Sequence, residues 1–210
     1  MGAAAAVWPF LRPLPLARAT TQGDLQFRAL WKGASIGEHS VAFRRDGGRL
    51  TVDTHIDISA KVLFFTVFRL KHDAQEIWQS GRLASVTSTT QRDGARLRVS
   101  GAAASEGFRI VGEDGPFLAP AHLLTTNSLW DSRIVRESRL MDVQYGGEVG
   151  LVARVLGPEQ VDTPQGPVAA SRYQLITPHY AGSVFYDGAQ RWVKALLESK
   201  GETIEYALAA

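Results

Sequence analysis

The sequence predicts an all-β protein: a strongly curved antiparallel sheet, a β-roll or open barrel, with at most one or two short helices. Two observations carry this. Along Leu50-Thr-Val-Asp-Thr-His-Ile-Asp-Ile58, apolar and polar residues alternate with period two, which sends one residue type to each face of a strand. Much of the chain repeats that rhythm between turn dipeptides, so that about a dozen short strands follow one another at roughly 8–12-residue spacing.

The elements follow in order. Leu25, Phe27, Ala29 and Trp31 alternate with polar neighbours and stop at Lys32-Gly33. Ile36 to Phe43 resumes and stops at Asp46-Gly47-Gly48, and the Leu50–Ile58 strand follows. Val62-Leu-Phe-Phe-Thr-Val-Phe68 is apolar on both faces, as in a strand buried on both sides or covered by a lid. Glu76-Ile-Trp-Gln, the turn Ser80-Gly81 and Leu83–Thr90 come next. Asp93-Gly94 is the strongest hairpin signal. Phe108–Val111 then ends at Gly112-Glu-Asp-Gly-Pro116. Residues 118–138 break the rhythm, and Ser128 is placed to cap a helix containing Leu129, Trp130, Ile134 and Val135. Strands return at Leu151–Leu156, Val168–Ile176, Val184–Tyr186, Trp192–Leu197 and Thr203–Leu208.

Length and composition bound the rest. The chain has 210 residues, 45% of them hydrophobic, enough for one sizeable core. No linker divides it, so residues 20–210 read as a single β-roll or barrel domain. The first nineteen residues hold Arg12 and Arg18 and no acid; without those two the chain balances 21 basic against 21 acidic residues. A neutral chain is poorly suited to nucleic acid, whose phosphates demand positive charge. There are no cysteines, which excludes disulfides, thiolate chemistry, cysteine metal sites and a lipoprotein anchor.

Residues 3–11 are apolar, Ala17-Arg18-Ala19 fits an A-x-A cleavage site, and the polar Thr20-Thr-Gln-Gly-Asp24 follows. Residues 1–19 therefore read as a secretory signal peptide, with an unstructured Ala/Pro-rich leader as the alternative. The expected location is the periplasm or the exterior. No later segment has the length of a transmembrane helix.

Chemical motifs are sparse. Gly33-Ala-Ser35-Ile-Gly37 matches G-x-S-x-G, but that motif needs a strand-to-helix turn, and here strand follows turn. His39, His55, His72, His122 and His179 show no metal-ligand spacing, and phosphate-cradling glycine motifs are absent, so no metal or cofactor is expected. His55 lies on the polar face with Asp53 and Asp57. His39 shares parity with Val41 and Phe43, and His72 with Phe68 and Leu70. Both should point inward, as satisfied core histidines or as polar anchors in a ligand cavity. Tyr186-Asp187-Gly188 and Arg191-Trp192 form a hairpin with an aromatic residue on each side of its turn.

Four segments in combination resemble an uncharacterised family of exported, β-rich proteobacterial proteins, a domain of unknown function. They are Trp31-Lys-Gly-Ala-Ser-Ile-Gly-Glu-His39 with Val41 and Phe43; Glu76-Ile-Trp78-Gln-Ser-Gly81-Arg-Leu83; Ser128-Leu-Trp130 with Leu140-Met-Asp142; and Phe185-Tyr-Asp187 with Arg191-Trp-Val-Lys194. The resemblance implies export and a strongly curved sheet, and brings no activity and no catalytic residue. Where the family more usually has Trp-Asn, this chain has Trp130-Asp131.

The function expected from these features is binding or carriage of an apolar or amphipathic small molecule such as a lipid, inside the curved sheet. The candidate lining residues are His39, Phe68, His72, Trp78, Trp130, Tyr186 and Trp192. The alternatives are a structural or envelope-interaction module with a solid core, and a hydrolase or isomerase using an inward histidine.

Overall fold

The computed structural model describes residues 23–62, 65–199 and 201–209; the leader read at residues 1–19 lies outside them. Eight strands form a first antiparallel meander: β1 (Leu25–Trp31), β2 (Ala34–Asp46), β3 (Arg49–Val62), β4 (Phe65–Gln79), β5 (Arg82–Arg92), β6 (Ala95–Ala104), β7 (Gly107–Gly112) and β8 (Gly115–Ala119). An irregular segment follows, holding the small ladder of β9 (Arg139–Met141) and β10 (Glu148–Gly150). The second meander is β11 (Val152–Thr163), β12 (Gly166–Ile176), β13 (Ala181–Asp187), β14 (Trp192–Ser199) and β15 (Glu202–Leu208). β15 pairs with β1, Phe27 opposite Leu208, and this joins both meanders into one thirteen-stranded sheet with β11 and β8 at its edges.

Local chemistry sets the turns. Lys32-Gly33, Ser80-Gly81 and Asp93-Gly94 all have positive φ at both positions, the two-residue hairpin geometry whose twist matches that of the strands. Both edges are blunted by proline. β8 carries Pro116, and β11 carries Pro158 beside a bulge at Gly157. A proline withholds the N–H that a foreign strand would need.

Alternation is clearest on β3, β4 and β5 and fails on β11, where Val152, Val155 and Leu156 are exposed. On β3, Val52, Thr54, Ile56, Ile58 and Ala60 are buried and their neighbours are not. Two elements depart from expectation. The apolar run 62–68 is not one strand: Val62 ends β3, Phe65 opens β4, and the two residues pair. The register of β3 on β4, with Ile56 opposite His72, brings the reversal into that run; residues 63–64 lie outside the described part. The helix expected from Ser128 is replaced by two 3-10 turns, Ser128–Trp130 and Ser132–Arg136. Asp131 sits between them in extended conformation and caps the second by accepting from the Arg133 N–H at 3.0 Å. So short a helix has too few hydrogen bonds to meet its nucleation cost, and packing of Leu129, Trp130 and Ile134 into the core sets the path instead.

The sheet curls without closing, and aromatic contacts measure the curl. Trp192 on β14 and Phe27 on β1 are two strands apart, yet their ring centroids lie 4.1 Å apart. Two strand spacings in a flat sheet would separate the backbones by roughly 9–10 Å. Segment 120–151 lies against the concave face. Its Leu123, Leu124, Leu129, Leu140, Met141 and Val143 are buried in the same core cluster as the inward residues of the strands. It is held to itself by a parallel bridge between Thr125 and Met141, with the Thr126 N–H donating to Met141 O at 2.9 Å.

Gly37 marks a close approach between β2 and β3. Its φ is 149°, and a Cβ there would lie 1.9 Å from Asp57 O. Gly37→Ala should therefore cost about 1–3 kcal/mol, read as a fall in thermal midpoint of roughly 2–4 °C per kcal/mol. An unchanged midpoint would mean that the two strands have slack at this point.

Candidate functional site

Parity places three polar side chains of two adjacent strands inside. β4 contributes His72 and Glu76, and β5 contributes Thr90; all are buried. Segment 120–151 supplies their partners. The Asn127 amide donates to His72 Nε2 at 2.9 Å, so the ring proton resides on Nδ1 and is donated to Thr90 Oγ1 at 2.8 Å. Thr125 Oγ1 donates to Glu76 Oε1 at 2.6 Å, and Trp78 Nε1 donates to Glu76 Oε2 at 3.0 Å. Thr125 and Ser128 hydroxyls lie 3.0 Å apart. The Ser88 hydroxyl donates to Val143 O. Five residues of the sheet and four of the segment thus form one buried polar cluster.

Burial dominates its electrostatics. Desolvation lowers the His72 pKa to about 4, against smaller opposing effects of Asp73 and the Asn127 hydrogen bond. Desolvation raises Glu76 to about 7, although the hydrogen bonds from Thr125 and Trp78 favour its ionised form. Charge inside an apolar wall is costly, so each group is driven toward its neutral form.

His39, on β2, differs. It stands in the same cross-sheet row as His72, with Phe27, Ile56 and Thr90 as its other members. Its ring is boxed by Trp192 at 5.2 Å and Tyr206 at 5.3 Å, both edge-to-face, and by Phe27 at 6.2 Å. Neither ring nitrogen has a hydrogen-bond partner. Desolvation, with the nearby His72 and His55, lowers its pKa to about 3. Thr54, its diagonal neighbour on β3, also has a buried hydroxyl without a partner.

The remaining expected lining residues divide in two. Trp130, in segment 120–151, meets Trp78 edge-to-face at 5.9 Å and Phe43 at 5.4 Å on the concave face. Tyr186 and Trp192 are paired across their hairpin, and the Tyr186 hydroxyl donates to Leu129 O at 2.8 Å. Phe68 is half-buried on the far side of the His39–His72 row, where the Arg92 guanidinium lies 5.7 Å over its ring. Glu76, Thr125 and Asn127 were not among the expected residues. For Glu76 the signal was present: it shares strand parity with His72 and Trp78. Thr125 and Asn127 lie in an aperiodic segment, 49 and 55 residues from their partners, and no local pattern points to them.

A family model described as a domain of unknown function, DUF6134, matches residues 27–209. The chain belongs to that family. Among curated proteins no match is found. Among solved structures, a β-barrel-like protein of the DUF1849 domain of unknown function from Brucella abortus is similar, with a TM-score of 0.62 over 89% of this chain and 94% of that one, at 6% identity. At that identity the likeness concerns the fold. In this DUF6134 chain the segments that carried the family resemblance converge on the interior. Trp78 meets Trp130, Tyr186 bonds Leu129, and Trp192 packs on His39. Asp131, which follows Trp130, serves as the cap described above.

Proposed function

We propose that this DUF6134 protein is an exported binding protein for an apolar or amphipathic small molecule, such as a lipid. The molecule would be held inside the curled sheet on the side of the His39–His72 row away from segment 120–151. The observation that carries the reading is His39: a neutral imidazole in an aromatic box, with one donor and one acceptor unmatched. An unmatched buried polar atom costs about 1–3 kcal/mol, and a ligand with a polar head and an apolar body would offset it. Strand residues Ile58 and Leu70 and the half-buried Phe68 continue the apolar lining beyond that row. Export, to the periplasm or beyond, is supported by the leader-like residues 3–19.

The test is native mass spectrometry of the protein taken from the envelope of its own host, followed by organic extraction and by incubation with oleate and lysophosphatidylcholine. A discrete bound mass that extracts as an apolar compound is expected. A clean apo mass together with no retention of either probe would overturn the reading. It would favour a solid interaction module, for which the coverage of the concave face by segment 120–151 speaks. An acid–base role for the inward histidines has less support, because burial holds both far below neutral pKa and leaves each a weak base.

A further inference from the structure

The outer face of β2–β5 forms a shallow groove, lined among others by Ser40, Asp53, His55, Asp73, Gln75 and Thr89. Register places Ser40, His55 and Asp73 in one row across it, with Gln26 of β1 continuing the row beyond its β2 rim. Gln26 on β1 is opposite Ser40 on β2, Ser40 is opposite His55 on β3, and His55 is opposite Asp73 on β4. All four belong to the outward set, since the residues flanking them, such as Phe27, His39, Val41, Thr54, Ile56, His72 and Ala74, are buried. His55 Nδ1 lies 2.6 Å from Asp73 Oδ1. With that N–H donated to the carboxylate, the ring lone pair resides on Nε2. Directly opposed residues on one face have Cβ atoms about 4.5–5.5 Å apart, a separation that a serine hydroxyl and an imidazole can span. Gln26 flanks Ser40 on the opposite side and carries an amide donor. Nucleophile, base and orienting carboxylate are recognised by such geometry and not by chain order.

The geometry points to an esterase site on the outer face of the sheet, with Ser40 as nucleophile, His55 as base, Gln26 as donor to the oxyanion and Asp73 as the residue that positions the imidazole. The Ser40 oxygen attacks the ester carbonyl carbon while its proton passes to His55 Nε2. The carbonyl π pair moves onto oxygen, where the Gln26 N–H donates. Collapse expels the alcohol, which takes the proton from His55 and leaves acyl-Ser40. Water then gives a proton to His55 and attacks the acyl carbon; the Ser40 oxygen departs with that proton, and the carboxylic acid is released. The groove is shallow and open, lined by polar side chains together with Ala42 and Ala74, so the substrate class is short-chain, accessible carboxylic esters. This row shares no side chain with the interior, and its fate is independent of whether a lipid binds there.

The experiment treats the full chain with a biotinylated fluorophosphonate and locates the adduct by peptide mass spectrometry, beside hydrolysis of p-nitrophenyl acetate. The expected adduct is on Ser40, at least tenfold weaker in His55→Ala. Hydrolysis should fall about 100-fold or more in Ser40→Ala and His55→Ala, and Asp73→Glu should recover part of the rate lost in Asp73→Asn. An adduct distributed over other serines, or no adduct on Ser40, overturns the assignment, as does a rate unchanged in Ser40→Ala. The labelling is read on the unaltered chain and so does not depend on any variant folding.

Discussion

Trp192→Ala should lower the free energy of unfolding by about 3–5 kcal/mol, the range for truncating a large aromatic residue in a packed core. Trp192 has no exposed surface. Its ring lies 4.1 Å from Phe27 and 5.2 Å from His39, and it reaches Tyr206 at 6.5 Å. Its Nε1–H donates to Lys194 O at 2.9 Å. Removing the indole therefore opens a void among rings of four adjacent strands, β14, β15, β1 and β2. These include β15 and β1, whose pairing joins the two meanders. Rigid strands on every side leave little room for the void to collapse, which places the cost in the upper half of the range. Equilibrium urea denaturation of the variant beside the parent reads the change. A loss below about 1 kcal/mol would show that the row relaxes around the gap, and the close curvature at β15–β1 would then need another cause than aromatic packing.

What was legible in the sequence follows from the range of the interactions concerned. Strand parity is local: period-two alternation over β2, β3 and β4 placed His39 and His72 inside and His55 outside, as found. The hairpin turns are local as well, since a residue such as Asp93 with Gly94 accepts positive φ with little strain. The run 62–68 misled because an apolar stretch has no period of its own, and only the register of β3 on β4 locates the reversal. Ser128 misled for a related reason. It is a good capping residue, but its hydroxyl is taken by Thr125, both by the backbone N–H at 3.1 Å and by the side chain. The polar cluster is half legible: His72 and Glu76 share one strand parity, whereas Asn127 and Thr125 lie in an aperiodic segment where no local pattern points to them. The outer row has no motif spacing along the chain, because Gln26, Ser40, His55 and Asp73 are brought together only by four strand registers. Residues that act across a sheet are separated by hairpin lengths, and those lengths carry no chemical signature.

The stability of Glu76→Gln relative to the parent should rise with pH, by about 2–3 kcal/mol between pH 5 and pH 8. Burial raises the Glu76 pKa from 4.5 to about 7. The folded chain therefore holds a proton that the unfolded chain releases, and this contribution is full below pH 4.5 and lost as pH rises through 7. Glutamine reproduces the protonated acid: its carbonyl accepts from Trp78, its amide donates to Thr125, and the Thr125 hydroxyl turns to Ser128. The second amide N–H has no partner in this arrangement, a cost of about 1–3 kcal/mol that does not vary with pH, so the variant keeps the cluster without the ionisation. His39 and His72 act with the opposite sign. Their folded pKa values, about 3 and about 4, lie below the usual 6.5, so their contribution is full above pH 6.5 and is lost as pH falls through those values. Between pH 4.5 and 6.5 these three groups leave the unfolded chain with one net extra proton, and with two once Glu76 is gone. The stability of the variant should thus fall toward acid more steeply, by about 1 kcal/mol per pH unit, and its pH of maximum stability should move upward. Urea titrations of both proteins at pH 5, 6, 7 and 8 give the two slopes. Parallel slopes would show that Glu76 ionises in the folded chain as it does in the unfolded one, which requires water to reach the cluster. Segment 120–151 would then be a door on the concave face rather than part of its wall.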